Sequence, residues 1–284
     1  MISRKWMTVM LVVLGALVVP ASASALPAPV HLRYGPHEEQ FVTVFGQETP
    51  GHKNVTLTHE GGWHQQLNEV ELEGPALRLQ KEGFVVYSLN WEQDDFQPAF
   101  PLEPEQVREG VLWVKAHAKS FGGSSTIEMV GGSAGGHLAA LSAELVNEEA
   151  PGTVASVVSL SGPMDLVSLA EEAAAGELAA TLTMSLRRAL GCRYGASCST
   201  ALEAANSPID NIDPATCPAF FLSGGELDLV PVTQQLEMAG ALEAAGCPVT
   251  LRIVPRGHAF AYWARVSYET MSFLKSPLTY AAAH

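Results

Sequence analysis

Positive charge is scarce in this chain. Sixteen Lys and Arg stand against 30 Asp and Glu among 284 residues, a formal net charge of −14. Such an acidic surface disfavours nucleic acid and anionic membranes as partners. Cysteine is sparse too: there are four, none in a C-x-x-C pair and none with a histidine nearby at ligand spacing, which argues against a zinc site. Gly131, Gly132, Gly135 and Gly136 do not fit G-x-G-x-x-G, and no Walker lysine follows them, so a nucleotide-binding loop is excluded. No internal repeat and no linker divides the chain. Neither a cofactor nor a metal is expected.

Residues 1–25 differ from the rest. Arg4 and Lys5 make a short basic start, Met7 to Val19 is almost wholly apolar, and Ala21-Ser22-Ala23 and Ala23-Ser24-Ala25 are small-x-small cleavage patterns. This reads as a secretory signal peptide, too short for a convincing membrane span. No lipobox cysteine follows it. Cleavage after Ala25 removes both basic residues and takes the net charge from −14 to −16. The expected mature domain is 26–284, secreted or periplasmic, without stable membrane insertion.

An even cysteine count in an exported protein predicts two disulfides. Cys217-Pro218 and Cys247-Pro248 each precede an apolar run. As adjacent parallel strands, those runs would start about 4.8 Å apart. The expected pairs are therefore Cys217–Cys247 and Cys192–Cys198.

The chain turns on Gly131-Gly132-Ser133-Ala134-Gly135-Gly136. A buried strand, Thr126 to Val130, leads into it, and a helix sequence from His137 to Val146 leaves it. Glycines two residues either side of Ser133 give G-x-S-x-G, a strained turn that lifts a serine hydroxyl above a sheet. The helix behind offers free N–H groups and a positive dipole end for a developing oxyanion, with the Ala134 N–H foremost.

Upstream, the strand Asn54 to Thr58 runs into His59-Glu60-Gly61-Gly62-Trp63. Adjacent glycines expose backbone N–H groups, so Gly61 and Gly62 are candidates for the second half of an oxyanion hole. Further strands are expected at Phe41 to Phe45, Phe84 to Leu89, Thr153 to Ser161, Phe220 to Leu222 and Val249 to Ile253. Helices are expected at Val70 to Glu82, interrupted near Gly74-Pro75, at Glu105 to Phe121, at Val232 to Gly246 and at Tyr262 to Lys275. The loop from Asn90 to Pro104 carries Trp91, Asp94, Asp95, Phe96 and Phe100, pocket wall or loop anchors. Alternating strands and helices predict an α/β domain with a mostly parallel sheet covered on both faces. The alternation lapses over about 166–206, read as a small helical lid.

A serine nucleophile needs a base, and the base needs an acid to hold its tautomer. Asp228 and His258 each follow a strand, at the sheet edge where Ser133 stands. Only His258 and His284 of the nine histidines lie after Asp228. Glu226 and Asp165 are alternative acids. The order Ser, Asp, His is used by one triad-bearing fold.

These residues resemble the α/β-hydrolases of the esterase/lipase type. The match is to the group with an HGGxW-like loop and a G-x-S-A-G-G-H-L-A elbow, here Gly131 to Ala139. Ser207-Pro208-Ile209, Gly225 to Pro231 and Gly257-His258 extend the similarity. The resemblance implies the α/β-hydrolase fold and a Ser133–His258–Asp228 triad acting on a small-molecule or carbohydrate ester. One departure stands out: the family's usual His-Gly-Gly is His59-Glu60-Gly61 here. Glu60 either points outward or puts a carboxylate near the oxyanion hole. His137 matches the family and is expected to support the helix start. An exopeptidase would need a further recognition domain, for which the mature chain has no room. A formamidase and a catalytically silent binding protein remain the alternatives.

Overall fold

A computed structural model describes residues 26–64, 69–93, 97–192 and 198–283. The expected signal peptide, Asp94, Asp95 and Phe96 lie outside the described residues. Eight strands form one sheet: β1 Val30–Arg33, β2 Phe41–Phe45, β3 His52–Thr58, β4 Val85–Leu89, β5 Gly123–Gly132, β6 Val154–Leu160, β7 Ala219–Leu227 and β8 Val249–Arg256. Their spatial order is β1-β2-β4-β3-β5-β6-β7-β8. β2 is antiparallel to β1 and to β4, and every later pairing is parallel.

Successive residues of the central strands face opposite sides of the sheet. Val85 and Tyr87 of β4, Ile127 and Met129 of β5, Val157 of β6 and Phe220 and Leu222 of β7 enter one apolar cluster. Val86, Val130, Val158 and Phe221 enter the other. The first cluster is closed by α2 Leu102–His117, α3 Ala134–Glu149 and α7 Thr233–Ala245. The second is closed by α1 Glu73–Lys81 and α8 Trp263–Lys275. Burial on both faces is why these strands read as continuous apolar runs.

α4 Leu166–Ala175, α5 Ala180–Ala189 and α6 Thr200–Ala205 fill the segment between β6 and β7, and α9 Pro277–Ala281 ends the chain. Gly246, at φ 76°, caps α7 in the left-handed conformation. Cys217 is bonded to Cys247 at the starting ends of β7 and β8, with Cα atoms 6.1 Å apart. Cys192 is bonded to Cys198, with Cα atoms 5.3 Å apart.

Two details differ from the sequence expectation. β1 was not foreseen. The break near Gly74-Pro75 falls earlier, where a 3-10 turn over Glu69–Leu72 gives way to α1 at Glu73. Pro75 therefore sits in the first helical turn, where a missing N–H leaves no bond unmade.

Candidate active site

β5 ends at Gly132 and α3 begins at Ala134, so Ser133 alone makes the turn. It does so at φ 52° and ψ −124°, a strained backbone for a residue with a side chain. Small neighbours make this possible. A Cβ on Gly135 would lie 2.3 Å from the His59 carbonyl oxygen, and one on Gly131 would lie 2.2 Å from that of Gly135.

Asp228 follows β7 and His258 follows β8, and both meet Ser133 at the carboxyl edge of the sheet. His258 Nε2 lies 2.8 Å from Ser133 Oγ, and Nδ1 lies 2.6 Å from Asp228 Oδ1. A carboxylate only accepts, so Nδ1 carries the proton and donates it. Nε2 is left with its lone pair toward the serine hydroxyl, the arrangement a general base requires.

The Asp228 side chain is 1% exposed and that of His258 25%. Asp228 accepts from four donors: His258, the Ser161 hydroxyl at 2.6 Å, Gly225 N–H at 3.1 Å and Val230 N–H at 3.3 Å. Burial pushes its carboxyl up. The hydrogen bonds from His258 and Ser161, with the charge of His258 and the Gly225 N–H, outweigh that and hold it below the ordinary aspartate value. The two other candidate acids lie elsewhere. Glu226 is exposed, and Asp165 caps α4 by accepting from Val167 and Ser168 N–H.

The loop His59-Glu60-Gly61-Gly62-Trp63 faces the serine. Gly61, Gly62 and Trp63 all have positive φ. Both flanks of the loop are braced. His59 is fully buried, stacks on Trp91 at 4.0 Å and donates from Nδ1 to its neighbour's carbonyl. Burial lowers its pKa to about 4, so the ring is neutral. Trp63 Nε1 donates to His137 Nδ1, and His137 Nε2 donates to the Asn206 carbonyl at the end of α6. His137, also neutral with its pKa lowered by burial to about 4, thus joins the loop, α3 and the helical insertion. Phe100 packs against Trp63 and His137. Trp91 and Phe100 are therefore anchors of their loop.

Ser133 and His258 open into a cavity of about 200 Å³. Glu60, Gly61 and Gly62 line it from one side; Thr181, Leu182 and Ser185 of α5 line it from the other. Among the described residues, no group of three or more His, Cys, Asp or Glu is arranged to hold a metal.

Two residues make contacts that the sequence did not reveal. Ser161 donates to Asp228, accepts from Ala259 N–H and lies 3.0 Å from the Tyr262 hydroxyl. Its one available signal is position: Ser161-Gly162-Pro163 leaves β6 at the same sheet edge. Glu60 is the other, its Oε1 accepting from Phe260 N–H at 2.8 Å.

The BD-FAE family model matches residues 46–242, about two thirds of the chain. The chain belongs to the BD-FAE family. That family lies among the α/β-hydrolases of esterase/lipase type. Over 216 residues this BD-FAE protein is 26% identical to Esterase LipQ of Mycobacterium tuberculosis, covering 74% of this chain and 51% of LipQ. It is 30% identical to LipM of the same organism over 183 residues, covering 61% of this chain and 41% of LipM. It thus spans about half the length of the curated relatives it matches. A truncated carbohydrate esterase from gut microbiota superposes with TM-score 0.71 at 17% identity, covering 91% of this chain and 99% of that one. At that identity the likeness shows the shared α/β-hydrolase fold.

Proposed function

We propose that this BD-FAE protein is an exported serine hydrolase that cleaves carboxylic esters through an acyl-enzyme. The single observation carrying this is the unbroken chain of contacts from Ser133 Oγ through His258 to Asp228. Ser133 attacks the acyl carbon and its proton passes to His258 Nε2. Asp228 holds Nδ1–H and stabilises the imidazolium. The tetrahedral oxyanion is met by the Ala134 N–H at the start of α3 and by Gly61 or Gly62, each donor lowering the barrier by about 3 kcal/mol. His258 returns the proton to the leaving alcohol, then draws one from water to release the acid.

The cavity of about 200 Å³ is small beside ordinary ligand pockets of about 300–1,000 Å³. It fits a short acyl group better than a long one. Names of neighbours, such as the gut carbohydrate esterase, point to sugar esters among the substrates. Two disulfides suit an oxidising compartment. Among the described residues no helix is long and apolar enough to cross a membrane. The α4–α6 segment acts as the lid, with α5 setting the depth of the acyl site.

The test is hydrolysis of a short-chain aryl ester by Ser133→Ala. Loss of turnover is expected, and full turnover would remove Ser133 from the mechanism. An aryl formamide run alongside separates an amidase, which would cleave it faster than the ester.

A further inference from the structure

The turn that carries His258 has positive φ on both sides of the imidazole, and one of the two residues carries a Cβ. Gly257 has φ 120° and Ala259, which is not a glycine, has φ 43°. Such backbone is unfavourable for a residue with a Cβ and persists only where the surroundings fix it. Three hydrogen bonds do so. Gly257 N–H donates to the Leu227 carbonyl, Ala259 N–H to Ser161 Oγ at 3.0 Å, and Phe260 N–H to Glu60 Oε1 at 2.8 Å. The first two come from the acid side of the site. The third comes from the opposite wall, out of the glycine loop, from a residue 200 positions earlier in the chain.

Phe260 also rests on the elbow. A Cβ added to Gly132, the residue before Ser133, would lie 2.8 Å from the Phe260 ring. Any displacement of Phe260 is therefore felt at both the histidine and the serine. Glu60 replaces a residue that is usually glycine in the sequences this loop resembles, so this pin belongs to a side chain that a glycine could not supply. One carboxylate oxygen, Oε1, is engaged by the Phe260 N–H.

We propose that Glu60 is a positioning residue that clamps the histidine turn to the glycine loop and so keeps His258, Ser133 and the Gly61–Gly62 donors in register. This rests on the serine-hydrolase reading above. The clamp needs an acceptor at the length of a glutamate side chain. It does not need a charge.

Three variants separate these properties. Glu60→Gln keeps length and acceptor, Glu60→Asp keeps charge but withdraws the acceptor by one methylene, and Glu60→Ala removes both. The measurements are kcat and KM for a short-chain aryl ester, the rate of fluorophosphonate modification of Ser133, and thermal stability. Glu60→Ala and Glu60→Asp are expected to lose about ten-fold in kcat and in modification rate, the scale of one ordinary hydrogen bond, with KM little changed. Glu60→Gln is expected to restore kcat to within about three-fold of the parent.

Parent-like or faster kcat in Glu60→Ala would overturn the proposal. So would equal losses in Glu60→Gln and Glu60→Ala, since the charge would then be what matters. Full activity in Glu60→Asp would overturn it as well, and if Glu60→Ala does not fold, the Gln and Asp variants alone decide. An active Ser133→Ala would instead remove the reading beneath it, whatever Glu60 does.

Discussion

Ser161→Ala tests the acid side of the site more sharply than any change at Asp228. Ser161 is 1% exposed, and its hydroxyl donates to Asp228 Oδ2 at 2.6 Å while accepting from Ala259 N–H at 3.0 Å. A hydrogen bond to a charged group contributes about 1.5–3 kcal/mol, and a buried donor left unmatched costs about 1–3 kcal/mol. The two share one oxygen and do not add in full, so about 3 kcal/mol of folding stability is expected to go. At about 2–4 °C per kcal/mol for a chain of this length, the variant melts about 6–12 °C lower. Asp228 keeps three donors, so catalysis falls less, by about ten-fold in kcat/KM. Ser161 also sits at φ 55°. Ser161→Gly removes the same hydroxyl but relieves that backbone by about 1 kcal/mol. It should melt above the alanine variant and show the same loss in kcat/KM. Thermal melts and initial rates on a short-chain ester read both. Unchanged kcat/KM in the two variants would refute the role of the hydroxyl, and an alanine variant as stable as the glycine one would refute the strain.

Two further outcomes concern the scaffold. Glu144 in α3 is 6% exposed, neither of its oxygens has a hydrogen-bond partner, and burial raises its carboxyl well above the ordinary value of 4.5. Its proton-linked stability is full below that unfolded value and is lost as pH rises toward the folded one, at up to about 1.4 kcal/mol per pH unit. Glu144→Gln should therefore be more stable than the parent at pH 8 and lose that advantage near pH 4; an equal gap at both, by denaturant unfolding, would contradict this. The disulfides close segments of 30 and 6 residues, for which chain entropy predicts about 3.6 and 2.2 kcal/mol. Replacing Cys217 and Cys247 by serine should cost more than replacing Cys192 and Cys198, and the reverse order in unfolding experiments would refute the chain-entropy account.

The central sheet was legible because β4 to β7 are buried on both faces and carry apolar runs between helices, and β3 shows Val55 and Leu57 just before the glycine loop. β1 was not, since three of its four residues are exposed and Val30-His31-Leu32-Arg33 has no apolar run to read. The site divides the same way. Gly131 to Gly136 lie close in sequence and show as one pattern, although the atoms that forbid a Cβ at Gly135 belong to Thr58 and His59. Asp228 and His258 are legible because each leaves a strand at the edge where the serine stands. Ser161 and Glu60 act through partners 67 and 200 positions away. Nothing local distinguishes a serine before Gly-Pro from any turn serine. The Glu60 departure was visible, but the direction of its carboxylate depends on where the Phe260 N–H falls, which only the folded chain fixes.

In the proposed mechanism Ser133 is made nucleophilic by His258, which Asp228 holds in place. Treatment of the active protein with a fluorophosphonate, followed by mass analysis of its peptides, tests this most directly. One adduct is expected, on Ser133, forming in step with the loss of ester hydrolysis and slowed by Asp228→Asn. Complete inactivation with the label on another residue, or full labelling of Ser133 with hydrolysis intact, would contradict it.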